Sequence, residues 1–465
     1  MVNILGANSV SGGYEIDNSL RFNDNDSARL TRTPSSAGNR RTFTLSVWIK
    51  LTVDPAGDSN YERHIFSADD GTGGNNNFDY IAINGLNRRF VYGYTGSENQ
   101  QVMTTQVLRD PNAWYHIVVA YDTTQSTAAD RVKIYLNGSR VTDIATGNYP
   151  SLNLQSKWNN SNAHRIGSYP DQDSQYFDGY MSEYHVIDGE AKAPSDFGEF
   201  DDNGVWVPIE YKGNYGTNGF YLEFKETGTS QNSSGIGADT SGNDNHWAVT
   251  NLAALDVMPD TPTNNWCTYN PLDIGQSSSG ATFSQGNLSV STTTAFEDHV
   301  GSTFSLDSGK WYWETKIQSG RQRESIGAIL VGTGLTGGAA RVQYYSRNGG
   351  IILLNNSIAT GATYGDNDII SVTLDLDNNV VKFFKNNGLQ GTVNSLPEGT
   401  WVPAYFDNSN GVGALAVSTN FGQDGTFSGL ETAGDNADAN GFGNFKYAVP
   451  SGFFSICTKN LAEFG

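Results

Sequence analysis

Short apolar runs with period-two alternation recur along the whole chain, and no window sustains a helical period. In Phe43-Thr44-Leu45-Ser46-Val47-Trp48-Ile49, the residues Phe43, Leu45, Val47 and Ile49 share one face. Residues 114–121 are apolar on both faces, as a central strand between layers would be. Val132 to Leu136 runs into Asn137-Gly138, a strong hairpin signal. Further on, Trp311, Trp313 and Ile317 alternate inward. Ile370, Val372, Leu374 and Leu376 do the same, with Ser371, Thr373 and Asp375 outward. Asp377-Asn378-Asn379 and Asn386-Asn387-Gly388 bound the strand that follows. The pattern predicts an all-β chain of two antiparallel β-sandwiches, residues 1–195 and 266–465. Between them residues 196–265 read as an ordered Gly/Asn-rich connector with short strands, because Trp206, Tyr215, Phe220, Trp247 and Trp266 need burial.

Composition narrows the function classes. Of 465 residues, 17% are charged and 12% aromatic, too few charges and too many rings for a disordered chain. The formal net charge is −21, with 16 basic against 23 acidic residues in 1–200 and 12 against 26 in 201–465. Both halves would repel a phosphate backbone, so nucleic acid and anionic membrane surfaces are not expected partners. The start, Met1 to Gly6, lacks a basic segment followed by an apolar one, so no secretory signal is expected. No apolar run approaches a membrane span of ~18 residues. Cys267 and Cys457 are too few for a disulfide framework or a four-ligand zinc site and read as buried thiols.

The first half resembles the laminin-G-like, concanavalin-A-like lectin family. The residues that carry this are the 43–49 strand with Trp48, then Asn112-Ala113-Trp114-Tyr115-His116 and Tyr135-Leu136-Asn137-Gly138. Phe177-Asp178-Gly179-Tyr180-Met181-Ser182-Glu183 follows, and Ile187-Asp188-Gly189-Glu190 ends it. The last third is similar to a SPRY domain, with Gly309 to Glu314, Gly365-Asp366, Leu374-Asp375 and Phe383 to Gly388 in order. Trp401-Val402-Pro403-Ala404, Asn420-Phe421-Gly422 and Pro450 to Phe453 complete that series. The connector carries Asp239 to Trp247 and Met258 to Asn265. It is similar to connectors in virion proteins of marine tailed bacteriophages, where such domains run in tandem. The resemblance implies a phage virion surface protein (tail fibre, tail tip or knob) that adheres to a host-surface polysaccharide without catalysis. Its implied partners are other virion proteins. Assembly in the host cytoplasm would fit the missing signal, and by analogy a homo-oligomer, with a trimer suiting a vertex, is expected. The alternative is a head-decoration or tail-attached spacer protein that binds no sugar, and the minor one a polysaccharide depolymerase.

The chemistry-bearing residues argue against an enzyme. Glu15-Ile16-Asp17 resembles half of the Glu-x-Asp-x-x-Glu strand of glucan hydrolases on the lectin fold, but Leu20 stands at the second Glu position. The six histidines are scattered, without metal-ligand or triad spacing. The lectin resemblance makes Ca²⁺ the candidate cofactor, with Asp69-Asp70 and Asp171-Gln172-Asp173 as candidate loops, a hard cation wanting such oxygen ligands. Glycan binding needs an exposed aromatic ring beside amide or carboxylate groups. Two loops qualify, one with Trp158, Asn159, Asn160 and Tyr169, the other with Asn75, Asn76 and Asn77 leading to Phe78. For Trp158 the alternative is that it caps the sandwich or packs on the connector. In the SPRY-like part the end loops offer Arg321, Arg323, Tyr344, Tyr345 and Arg347 as protein-binding candidates, and alternation alone could place either tyrosine in the core.

Overall fold

The computed structural model describes residues 13–52, 62–70, 77–95, 99–170, 175–275, 280–293, 299–320, 323–332, 340–408 and 415–465. They divide into two compact units, one within Ser11–Thr263 and one within Asn264–Gly465. Both are antiparallel sandwiches, as the alternation predicts.

In the first unit one sheet runs Ser139–Arg140, Val132–Leu136, Trp114–Asp122, Thr42–Leu51, Gly179–Asp188, Ser19–Phe22 and Val257–Met258, with Phe220–Leu222 paired beside Gly179–Asp188. The second sheet runs Ile144–Asn148, Gln100–Val107, Arg89–Tyr94, Phe78–Asn84, Glu62–Asp69, His164–Ile166, Arg29–Arg32 and Ala248–Thr250. Alternate residues of each strand meet between the sheets: Phe43, Leu45, Val47 and Ile49 from the first face Phe66, Ile81, Ile83 and Tyr92 from the second. Each such side chain contributes about 1.5–3 kcal/mol by leaving water. The Asn137-Gly138 turn has the positive φ pair, 45° and 77°, that a tight hairpin matched to strand twist requires. A Cβ at Gly138 would meet the Trp206 ring at 2.2 Å, so side chains other than hydrogen are also barred by packing.

Residues 196–263 lie within this unit and supply strands to both of its sheets. Trp206, Phe220 and Trp247 are buried. Trp206 Nε1 donates to His116 Nδ1 at 3.0 Å, and the His116 ring stacks at 4.7 Å on Trp48. Phe197 and Tyr211 pack on Val118 and Ile187, which explains why the central strand is apolar on both faces.

The second unit has a seven-stranded sheet, Ala281–Ser284, Ser289–Thr292, Leu415–Asn420, Lys310–Ser319, Ile369–Asp375, Val380–Lys385 and Gly388–Asn394. Its six-stranded partner runs His299–Gly301, Trp401–Asp407, Glu324–Leu330, Arg341–Tyr345, Gly350–Leu353 and Asn356–Thr360. Ser371 and Thr373, expected to face outward, are buried instead. The chain after Asn420 covers that face: Phe445 packs on Tyr312 at 5.0 Å, and Glu314 accepts the backbone N–H groups of Lys446 and Tyr447, each at 2.9 Å. One short helix, Thr458–Phe464, departs from the strand-only reading, with Phe464 stacked on Phe454 at 3.8 Å. Cys267 and Cys457 are free and buried, and burial pushes both thiols up to about 11.

Candidate functional site

Tyr169 and Phe78, one from each stretch singled out in the sequence, meet on the outer face of the first unit's second sheet, but the expected tryptophan does not reach it. Trp158 is 1% exposed. Its ring lies 4.6 Å from Phe43 and 4.3 Å, edge-on, from Phe66, so it fills the space between sheets and cannot stack on a sugar. The polar loop around it folds inward because its backbone is tied from several sides. Asn159, with φ of 57°, donates its side-chain N–H to Asn39 O at 2.9 Å and Asp188 Oδ1 at 3.1 Å. Its backbone N–H reaches His164 Nε2 at 3.1 Å. Asn159 is therefore a structural lock rather than a sugar contact. Asn160 is half-buried, its N–H turned back to Lys157 O at 3.3 Å.

Tyr169 is the candidate ring that stays partly exposed. It sits edge-on to Phe78 at 4.7 Å and to His64 at 5.3 Å. Phe78, Tyr80 and Ala82 project to this outer face because Ile81 and Ile83, one residue over, project to the core. Gly93 lets the Tyr80 ring lie flat on the neighbouring strand, since a Cβ there would meet it at 2.2 Å. Asn77 stands half-buried beside Phe78, while Asn75 and Asn76 lie outside the described residues.

Polar groups rim the rings. Tyr80 OH donates to Glu62 Oε1 at 3.4 Å, and His64 Nε2 lies 3.1 Å from Gln175 Oε1 and 3.8 Å from Glu62 Oε2. Burial pushes the Glu62 carboxyl up to about 7 and the His64 imidazole down to about 4. His64 is thus neutral, donating from Nε2 to Gln175, and its Nδ1 has no hydrogen-bond partner among the described residues. Glu62 contributes stability in full below its ordinary pKa, and that contribution is lost as pH rises through about 7. Glu62→Gln should therefore lose less stability than the parent between pH 5.5 and 8 in denaturant unfolding. The His64 contribution, which fails only toward acid, is common to both proteins and drops out of the difference. An unchanged pH dependence would contradict the buried-acid assignment.

The remaining candidates divide. Asp69 ends the Glu62–Asp69 strand, and Asn162 Nδ2 donates to its carbonyl at 3.3 Å. Asp70 is engaged by Lys157 Nζ at 3.5 Å. Asp171 and Asp173 lie outside the described residues. Among the described residues no group of three or more His, Cys, Asp or Glu side chains is gathered to hold a metal ion. Glu15 and Asp17 are exposed, and Ile16 between them is clamped by Thr263 Oγ1 at 3.0 Å. In the second unit Tyr344 is core, 4.8 Å from Tyr364 and 5.9 Å from Phe383, so it is no loop contact. Tyr345 and Arg323 are half-buried, the Arg323 carbonyl accepting from Asn408 Nδ2 at 3.2 Å. Arg347 is exposed, and Arg321 lies outside the described residues.

Sequence reasoning missed the Glu62, His64 and Tyr80 group. The available signal was Phe78-x-Tyr80-x-Ala82 alternating with inward isoleucines. It could not show that Glu62 and His64 lie alongside, because a register set by distant pairing is not local information.

Residues 22–194 match the concanavalin A-like lectin/glucanases superfamily. All the rings of the site fall inside that lectin-like stretch. Among solved structures the chain is similar to the SPRY domain of human HERC1, at 12% identity and a TM-score of 0.28 over 32% of this chain and 96% of that one. It is also similar to the TRIM65 PSpry domain, at 14% identity and a TM-score of 0.28 over 33% of this chain and 92% of that one. No curated protein matches the chain.

Proposed function

We propose that the chain is a non-catalytic adhesion protein of a tailed-phage particle whose lectin-like unit recognises a host-surface glycan. The observation that carries this is the Tyr169 ring, held by Phe78 and His64 yet still partly exposed, within the stretch that matches a lectin and glucanase superfamily. Beside it stand amide, hydroxyl and carboxyl groups of the kind that fix sugar hydroxyls. Among the described residues Glu62 is the carboxyl of the cluster, whereas glycoside hydrolysis takes a pair about 5–9.5 Å apart. The order along the sequence of lectin-like stretch, Asn/Gly-rich stretch and SPRY-like stretch supports the virion setting, in which the partners are other virion proteins and further copies of this chain. Burial of Trp158 removes one stacking ring and is the observation that favours the second reading, a decoration or spacer protein.

Tyr169→Ala should weaken adhesion of the purified chain to host cells about tenfold, the scale of one lost aromatic contact. Unchanged adhesion would remove this face from the reading. Antibody against residues 266–465 should label phage particles at the tail in electron micrographs. Label spread over the head would favour decoration, and unlabelled particles would contradict the virion setting.

A further inference from the structure

A cleft of about 290 Å³ opens on the outer face of the first sheet, on the opposite side of the sandwich from Tyr169. Ala120, Lys133 and Tyr135 form its floor, because Val119 and Ile134 beside them point to the core. Residues 191–193 form one wall and Asp122, Gln125 and Asp130 the other.

Both walls are fixed by hydrogen bonds before any ligand arrives. Thr44 Oγ1 donates to Glu190 O and accepts from Lys192 N, each at 2.7 Å, and Gly189 N reaches Thr42 O at 3.1 Å. On the facing side Asp122 accepts from Thr124 Oγ1 and Gln125 Nε2, both at 2.6 Å. Arg131 there braces the loop by donating to the carbonyls of Gln125, Ser126 and Pro150, each at 2.9 Å. A ligand would find the polar groups already placed, which spares the cost of ordering them. The Tyr135 ring packs against the Val118, Phe197 and Tyr211 patch and presents only its free part.

The charges in and around the cleft balance, in a chain that carries −21 overall. Asp130 pairs with Lys133 at 3.5 Å and Arg140 at 3.2 Å, and Glu190 pairs with Lys192 at 2.6 Å. Asp122, with Asp196 accepting the Ala193 N–H at 3.2 Å, brings the acids to four and Arg131 brings the bases to four, and among the described residues Asp122 is held by hydroxyl and amide donors rather than by a cation. Partial burial would raise its carboxyl, but those donors outweigh burial and hold it below the usual carboxylate value. A uronate brought here would meet two carboxylates, Asp122 and Asp130, on one wall, and the lysines of the cleft, Lys133 and Lys192, are already paired. A neutral sugar ring would instead offer hydroxyls to Asp122, Gln125 and Lys133, and an apolar face to Tyr135.

We infer that this cleft is a second saccharide site, shaped for one or two rings of a neutral, hydroxyl-rich glycan. The inference takes its ligand class from the proposed glycan recognition but not its location. The full chain is titrated calorimetrically with neutral hexasaccharides of glucose, galactose and mannose, and with hexauronates, alongside Ala193→Trp, Tyr135→Ala and Tyr169→Ala. Ala193 is exposed, so the tryptophan fills the cleft without entering the core. The expected result is binding of at least one neutral hexasaccharide, weakened at least tenfold by Ala193→Trp and by Tyr135→Ala. Loss with Tyr169→Ala alone would overturn the cleft and leave glycan recognition standing. Binding of hexauronates in preference would overturn the neutral ligand. No binding by the parent chain would overturn both readings.

Discussion

Trp158→Ala should lower the unfolding free energy of the first unit by about 3–5 kcal/mol, as expected for deleting a buried indole that the surroundings cannot collapse to replace. The ring is wedged between Phe43 of one sheet and Phe66 of the other, at 4.6 and 4.3 Å, so its loss opens a cavity bridging both layers. Its indole N–H has no hydrogen-bond partner among the described residues, so truncation leaves the core without a new orphaned polar group, and the cost is one of packing. Trp158→Phe should recover part of it. Denaturant unfolding followed by circular dichroism measures both variants. A parent-like midpoint with a selective loss of sugar binding would mean that the ring works at the surface after all.

Lys50→Ala is the second large expected effect, about 3–5 kcal/mol, because it leaves an acid buried without its ion partner. Lys50 Nζ lies 2.7 Å from Asp260 Oδ2, and both side chains are fully buried. Lys50 also lies 5.6 Å from the Tyr180 ring centroid, while Trp114 Nε1 donates to the other Asp260 oxygen at 3.1 Å. Asp260 belongs to the 196–263 stretch, so the pair ties that stretch to the outer face of the first sheet. Replacing both partners, as in Lys50→Met with Asp260→Leu, should restore much of the stability, since two apolar groups leave no uncompensated charge. Equal losses in the single and double variants would show that the ion pair is not what holds this contact.

Much of the fold is legible in the sequence because it is local. Alternation in 43–49 and 370–376 reports which side chains share a face, and Asn137-Gly138 reports its turn, without knowledge of any partner strand. What covers an outer face is not local. Ser371 and Thr373 look solvent-facing until the Gly- and Asn-rich chain after Asn420 lies across them, and nothing in their own strand signals it. Trp158 fails for the same reason in reverse. Its neighbours are polar, yet Asn159 spends its side chain on Asp188 and Asn39, and so turns the ring inward. Glu183 holds φ at 49° where the pairing register slips between Ser182 and His185, and its carboxylate accepts Tyr221 OH at 2.5 Å and Tyr14 OH at 3.1 Å. Such a bulge redirects a side chain in a way that period-two counting cannot anticipate. In the cleft, the outward direction of Lys133 and Tyr135 follows from alternation, but the 191–193 wall arrives from more than fifty residues away.

Glycan recognition by the lectin-like unit requires that the chain be retained on a polysaccharide surface. It is tested most directly by incubating the labelled full-length chain with an array of neutral and acidic polysaccharides, with and without chelator, beside Tyr169→Ala and Ala193→Trp. The expected result is retention on at least one polysaccharide and reduced retention by each variant at an unchanged unfolding midpoint. Retention on none, or equal retention by parent and both variants, would contradict it.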